Sequence, residues 1–457
     1  MRSRQNAAAA SGARKAAFNG WRGNEHRAMP NVMVFPCGSE IGLEIHSSLQ
    51  YAKGVRLVGV SSVPDHGRYV YRNYEQISSS VGDPGFLEDL RRVVTAWDID
   101  FIFPAFDTVI EALAPLGPDD LGGAQVIGSG TRTSLITRYK SKTYAALAGF
   151  DFVPRTFTPA TVTPEDFPVF LKPDGGYGSR GIAVAADRAE LERLLAGDPG
   201  LIAVELLPGR EFTVDCFTDR HRELLFVGAR VRDRIRNGIS VDSTTVELTD
   251  EVRSIASAIN ATLELRGQWF FQVKEAADGR LKLLEVAPRI AGTMNLYRNR
   301  GVNFALLSVL DRMGLDVAIL DNGYEATVDR ALINRHRLGF EYGAVYVDLD
   351  DTLIVGGRVN VRLMAFLYQA RGAGKDVILL TRHALELERT MKEFAISPDL
   401  FTRIVHVTDG APKSRYVDRS DAVFIDDSFR ERDDVRRVAG AHVFDVDAVE
   451  SLLDWRL

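Results

Sequence analysis

Cysteine is scarce: the 457 residues hold two, Cys37 and Cys216. Two thiols so far apart give no disulfide framework, and a reducing cytosol is the expected compartment. No run of about 18 or more apolar residues occurs, so no membrane-spanning helix is predicted. Neither charge sign dominates: 56 Lys+Arg against 62 Asp+Glu give a net charge of -6. Nothing in that balance favours nucleic acid or an anionic membrane as partner. The apolar core of a secretory leader is missing from residues 1–29, which read as a disordered extension or as sequence ahead of a true start at Met29, with a transit peptide as the alternative. Internal repeats are lacking. No G-x-G-x-x-G is found after the first apolar run and the main glycine loop has no G-K-[ST] ending, which excludes a dinucleotide fingerprint there and a Walker A loop.

What is present argues for folded α/β structure. Apolar residues are 46% and charged residues 26%, ordinary globular usage, and the length suits about two to four domains. From residue 31 short apolar runs alternate with helical stretches. The runs are 32–35, 55–63, 99–104 and 125–127, with a helical segment after Gly38 as far as about Lys53. Such runs predict a parallel sheet covered by helices. Gly38 and Gly42 mark either a tight strand-to-helix turn or a helix N-terminus that holds an anion. Residues 139–338 read as a longer α+β stretch. After Arg337–Tyr342 a second βαβ series begins, with runs at 344–347, 377–380, 404–407, 422–425 and 441–444. Ala384, Leu387, Met391 and Phe394 are spaced as one face of an amphipathic helix. The predicted units are 30–138, 139–338 and 339–457.

In the middle unit an apolar run ends in Lys172-Pro173 and enters Asp174-Gly175-Gly176-Tyr177-Gly178-Ser179-Arg180-Gly181. Such a glycine-rich loop offers free N–H groups to phosphate oxygens, and the lysine adds a point charge; a hairpin turn is the other reading. Around it stand, in order, Lys142, Glu205-Leu206-Leu207, Glu211, Gln272 and Glu285-Val286-Ala287-Pro288-Arg289. This ordered set resembles the ATP-grasp superfamily, most closely its carbamoyl-phosphate-synthetase-like and carboxylate–amine ligase branches, over about residues 30–338. The resemblance implies a Rossmann-like domain ahead of the ATP-grasp domain. It also implies roles. Lys142 and Lys172 would hold the ATP phosphates. Gly175, Gly176, Gly178, Ser179 and Gly181 would close over them. Glu205, Leu206 and Leu207 would line the adenine, and Glu211 would accept from the ribose hydroxyls. Gln272 and Glu285 would sit at Mg2+, with Mn2+ as an alternative ion. Arg289 would hold a transferring phosphate or the substrate carboxylate. The chain departs from the family's E-x-N-P-R at Ala287, which cannot coordinate. Fewer protein ligands, replacement by Asn295 and loss of ligase activity are the three readings of that departure. Asn295 and Arg298 follow Arg289 where the family tends to line its acceptor pocket. Arg230, Arg232, Arg234 and Arg236 alternate, so on a strand they would share one face, either anion-binding or solvated.

Four short motifs follow in the last unit. Asp348-Leu349-Asp350-Asp351-Thr352 ends an apolar strand, Thr381 ends another, Lys413 opens a helix after Pro412, and Asp426-Asp427 end a third strand. Carboxyl ends of parallel strands converge at one crevice. The set resembles the haloacid dehalogenase (HAD) superfamily. By that resemblance Asp348 is the nucleophile, and Asp350 the general acid and base. Thr381 and Lys413 bind phosphoryl oxygens. Asp348, the Asp350 carbonyl, and Asp426 or Asp427 hold Mg2+. The gaps of 381 − 348 = 33 and 413 − 381 = 32 residues leave no room for a cap domain, so an open site served by a large substrate, by the ligase unit or by a second subunit is expected.

The fold class expected is a multidomain α/β and α+β protein: a Rossmann-like domain, an ATP-grasp domain and a capless HAD-like doubly wound parallel sheet. The function expected is a cytoplasmic bifunctional enzyme. One activity is an ADP-forming carboxylate–amine ligase; the other is a Mg-dependent phosphatase acting on a phosphorylated metabolite. The alternatives are a phosphatase whose ATP-grasp region only binds nucleotide or substrate, and a non-catalytic nucleotide-binding regulator. Small-molecule acids and amines are the expected partners, with neither nucleic acid nor membrane. The assembly is left open between monomer and homodimer.

Overall fold

The structure is a computed structural model that describes residues 29–176, 181–236 and 238–456. Residues 1–28 of the expected extension, and Gly178 and Ser179 of the glycine loop, lie outside the described residues. Contacts divide the chain into two compact units, Met1–Leu332 and Ile333–Leu457.

The first unit opens with a five-stranded parallel sheet in the order β3-β2-β1-β4-β5. Its strands are β1 (Asn31–Phe35), β2 (Arg56–Ser61), β3 (Asn73–Gln76), β4 (Phe101–Pro104) and β5 (Gln125–Val126). Strand β3 is absent from the predicted runs because Asn73-Tyr74-Glu75-Gln76 has no apolar pattern; it is recruited at the edge by register pairing with β2. The helix after Gly38 runs over Glu40–Leu49, shorter than the segment to Lys53 predicted from pattern. Its entry is a tight turn whose amides are already taken: Gly38 N and Gly67 N donate to the Asp65 carboxylate, and Gly42 N donates to Ser39 Oγ. A Cβ at Gly38 would lie 2.1 Å from that carboxyl carbon. The turn reading holds, and the anion is the protein's own.

Two antiparallel sheets follow. The four-stranded one has the order β6-β9-β7-β8, with β6 (Thr156–Phe157), β7 (Val169–Pro173), β8 (Ala183–Ala185) and β9 (Leu201–Glu205). The six-stranded one has the order β14-β13-β10-β11-β12-β15. Its strands are β10 (Glu211–Thr218), β11 (Leu224–Arg236), β12 (Ile239–Val246), β13 (Gly267–Glu275), β14 (Leu281–Ala287) and β15 (Thr327–Asp329). Side chains alternate across it. On β13, Trp269, Phe271 and Val273 pack against the helix Asp250–Thr262, while Phe270 joins a core shared with the parallel sheet and Gln272 and Lys274 line cavities.

Strict alternation would put Glu285 beside Leu281 and Leu283, which are buried in the apolar core. A β-bulge prevents this: Gln272 pairs with Glu285, but Val273 pairs with Leu283. The extra residue, Leu284, changes the parity of the strand, and Glu285 reaches the cavity face. A second irregularity lies between Arg232 and Arg234. It breaks the expected row of four arginines: Arg230 and Arg232 line the cavity, whereas Arg234 is ion-paired to Asp329 and Asp242.

The second unit is a parallel sheet in the order β20-β19-β16-β21-β22. Its strands are β16 (Ala344–Val347), β19 (Asp376–Thr381), β20 (Arg403–His406), β21 (Ala422–Ile425) and β22 (His442–Phe444); a hairpin of β17 (Ile354–Val355) and β18 (Arg358–Val359) follows β16. The helix Val361–Gly372 and the strand β19 fill the first motif gap, and the helix Leu387–Glu393 and β20 the second. That second helix is shorter than its apolar spacing predicted, with Ala384 exposed ahead of it. Lys413 opens a 3-10 turn, Lys413–Tyr416, rather than an α-helix.

Candidate functional site

In the first unit the strand order reverses between β1 and β4, the place where open α/β sheets bind ligands outside their carboxyl ends. Glu40 follows β1 and Asp107 follows β4; both line a cavity of about 520 Å3 that also takes in the face of the six-stranded sheet. Across that face runs a register row on four neighbouring strands: Arg230 opposite Thr213, Thr213 opposite Gln272, and Gln272 opposite Glu285. A second cavity, of about 190 Å3, lies between the two antiparallel sheets. The two cavities share Lys140, Gly176, Arg232, Gly238, Gln272 and Glu285.

Most residues singled out from the sequence come together at the smaller cavity. Lys172, Gly176, Glu205, Leu206, Leu207, Glu211, Gln272 and Glu285 all line it. Lys172 is 7% exposed, and its Nζ donates to Tyr144 Oη at 2.8 Å. Burial, with Lys140 nearby, lowers its pKa to about 7. Gly175 lies just outside, its carbonyl bonded to Arg138, and Gly181 takes the left-handed φ of +70°. Lys142 is a correction: it is exposed and rests over the Tyr139 ring. Lys140, two residues earlier, lines both cavities and donates to the carbonyls of Pro173, Asp174 and Gly176. Neither Lys140 nor Lys172 has an ion-pair partner among the described residues.

Arg289 lines the larger cavity in a bidentate pair with Asp107, at 2.5 and 3.0 Å. Burial opposes ionisation of Asp107, yet Arg289, then Arg138 and Lys140, hold its carboxyl below the usual range. Asp107 went unnoticed in the sequence although it sits just past an apolar strand, the signal that revealed Asp348. Ala287 is 8% exposed in the apolar core. Asn295 lines neither cavity, and its Oδ1 is buried without a hydrogen-bond partner among the described residues. Arg298 is paired with Glu44 away from the cavities. One carboxylate and one amide, Glu285 and Gln272, therefore face the junction. Mg2+ needs only one or two carboxylates when substrate phosphates complete its shell, so the donor set fits that ion with few protein ligands.

In the second unit the order reverses between β16 and β21, which place Asp348 and Asp426 side by side. Carboxylate oxygens of Asp348, Asp426 and Asp427 lie within 4.8 Å of one another, a hard-oxygen set suited to Mg2+. Lys413 Nζ sits between them, 2.8 Å from Asp348 Oδ1 and 2.6 Å from Asp426 Oδ2. Burial raises Asp348. Burial also pushes Asp426 up to about 6, with Lys413 opposing and the Asp348 charge adding to the rise. Thr381 is fully buried at the end of β19. The Asp350 carboxylate stands apart from the cluster, bonded to His383, which the sequence reading did not single out.

A family model described as ATP-grasp in the biosynthetic pathway with Ter operon matches residues 198–330. Solved structures show the same fold. Pyruvate carboxylase of Rhizobium etli is 17% identical, with a TM-score of 0.51 over 65% of this chain; the present chain spans 29% of its length. The biotin carboxylase domain of 2-oxoglutarate carboxylase from Hydrogenobacter thermophilus, solved with MgADP, ADP and bicarbonate, is 15% identical over 66% of this chain and 74% of its own, with a TM-score of 0.55. N5-carboxyaminoimidazole synthetase of Staphylococcus aureus is 15% identical over 65% of this chain and 80% of its own, with a TM-score of 0.51. No curated protein matches the chain. Residues 198–330 are thus similar to an ATP-grasp family model, within a mixed α/β architecture that shares the fold of these solved structures. No helix of the described residues is long and apolar enough to cross a membrane.

Proposed function

We propose that the first unit is an ADP-forming carboxylate–amine ligase and the second a phosphomonoesterase with the HAD-type motif order. The observation that carries the ligase is the smaller cavity, where Lys140 and buried Lys172, neither with an ion-pair partner among the described residues, line the same space as Gln272 and Glu285. Attack of a carboxylate on the γ-phosphate brings two anions together, so the chemistry calls for cations, positioning and water exclusion. In this reading ATP fills the smaller cavity, with adenine along Glu205–Leu207 and ribose at Glu211. Lys140 and Lys172 take the phosphates, and the acid and amine fill the larger cavity near Arg289. Mg2+, or Mn2+ in its place, would be held by Glu285 and Gln272 and would neutralise phosphate charge. Amine-dependent ADP release, with the joined product seen by mass spectrometry and both lost in Lys172→Ala, tests the proposal. Ala287 favours one second reading, a nucleotide-binding region without ligase turnover; ATP binding with no ADP release for any acid–amine pair would establish it.

In the second unit Asp348, Asp426 and Asp427 would hold Mg2+. An Asp348 oxygen bonds to phosphorus as the ester P–O bond breaks, and Asp350 gives its proton to the leaving oxygen. Water then attacks the phosphoryl group, its proton returns to Asp350, and the aspartyl P–O bond breaks. Asp348→Asn is expected to reduce hydrolysis of a phosphate ester to background. The cytosol is the compartment proposed, since both cysteines are free and buried.

A further inference from the structure

One buried side chain in the second unit has no place in that mechanism yet touches a residue that does. His383 is 8% exposed and stands two residues past Thr381. Its Nδ1 lies 2.9 Å from both carboxylate oxygens of Asp350. Its Nε2 lies 2.7 Å from Oγ1 of Thr390, a buried residue on the helix Leu387–Glu393. The backbone is held as well: the His383 amide donates to Thr381 Oγ1 at 3.2 Å, and the His383 carbonyl accepts from His406 Nε2 at 2.7 Å. The ring and its peptide are therefore anchored to two strands and a helix. Asp350, by contrast, has a half-exposed side chain. Its carboxylate has no other hydrogen-bond partner among the described residues.

An acid that protonates a leaving group works only if its carboxyl is in place when the bond breaks. A half-exposed aspartate held by nothing would spread over several rotamers. The geometry points to His383 as the positioning residue for Asp350, an assignment that rests on the phosphatase reading. An ionised Asp350 carboxylate can only accept, which puts a ring proton on Nδ1; in the neutral ring Nε2 then accepts from the Thr390 hydroxyl. Nδ1–H then holds the Asp350 carboxylate in one rotamer. The same ring ties that rotamer to Thr381, so the acid and the phosphate-binding hydroxyl keep a fixed relation.

Two esters separate orientation of the acid from general damage. An alkyl phosphate must have its leaving oxygen protonated; 4-nitrophenyl phosphate releases a stable phenolate and needs no proton. In the full chain, His383→Ala is expected to lower kcat/KM for the alkyl ester roughly tenfold to a hundredfold, and for 4-nitrophenyl phosphate by less than about threefold. A nitrophenolate burst should then precede the steady state, because hydrolysis of the phosphoenzyme still calls on Asp350. His383→Asn, whose amide nitrogen takes the place of Nδ1, is expected to recover most of the alkyl-ester activity. Thr390→Val, which removes only the outer hydroxyl, should show a smaller loss confined to the alkyl ester. Equal losses on both esters, or an Asn variant no better than Ala, would overturn the assignment. A wild type that cleaves neither ester and matches Asp348→Asn would instead overturn the phosphatase reading, and this assignment with it.

Discussion

At the scale of single residues, charge placed where water is excluded decides what the site can do. Lys172 is the clearest case. Its pKa of about 7 means that much of it is neutral at pH 8 before nucleotide arrives. In the proposed ligase a bound triphosphate would restore the charged form, so nucleotide binding at pH 8 is expected to take up close to one proton, fading toward pH 6. Calorimetry in buffers of different ionisation enthalpy measures this, and Lys172→Met should abolish it. The same shift links to stability. Between about 7 and 10.5 the unfolded chain binds more protons at this group than the folded one, so its contribution to stability rises with pH across that window. Asp107 is a second case. Asp107→Asn breaks the bidentate pair with Arg289, a charged hydrogen bond worth about 1.5–3 kcal/mol. Amine-dependent ADP release should fall roughly tenfold to a hundredfold, with ATP affinity unchanged because Asp107 lies outside the smaller cavity that the proposed ligase gives to nucleotide. Steady-state kinetics beside nucleotide titration separates the two effects. Lysines near the glycine loop were legible from sequence, but which one was not: Lys140 and Lys142 differ only in helical phase, and the packing of Tyr139 and Tyr144 sets that phase.

At the scale of elements, the six-stranded sheet holds its polar row by pairing charges inside it. Arg230 and Asp215 are 1% and 0% exposed and bonded at 2.7 Å. Arg230→Met would leave Asp215 buried without a partner, at a cost of about 3–5 kcal/mol; replacing both by apolar residues should return much of that loss. Chemical denaturation of the single and double variants measures the difference. Strand positions were legible wherever apolar runs reach a sheet interior. The edge strand β3 was not, because pairing rather than pattern recruits it. Bulges were not legible either: period-two counting sends Glu285 into the core, and one extra residue at Leu284 turns it out to the cavity.

At the scale of the whole molecule, the chain carries separate cores in its two compact units. In the second, Val345, Phe366 and Leu379 are among the buried residues of a core built within that unit. Phe366→Ala, at a residue 1% exposed, is expected to remove about 3–5 kcal/mol from the second unit alone. Scanning calorimetry should show one of two transitions move and the other stay. Nucleotide should shift only the transition that stays.

The sequence by itself determined the strand–helix alternation and the acids at strand ends, because hydrophobic period and turn chemistry act over a few residues. It also ordered the lysines, glycines and acids of the first unit. Tertiary structure alone decided that Lys140 rather than Lys142 faces the cavity. It also placed Asp107 on Arg289, 182 residues away, and His383 on Asp350. The first depends on a helical phase set by packing and the other two on strand register and crossover, and all are settled only when distant elements pack and exclude water between them.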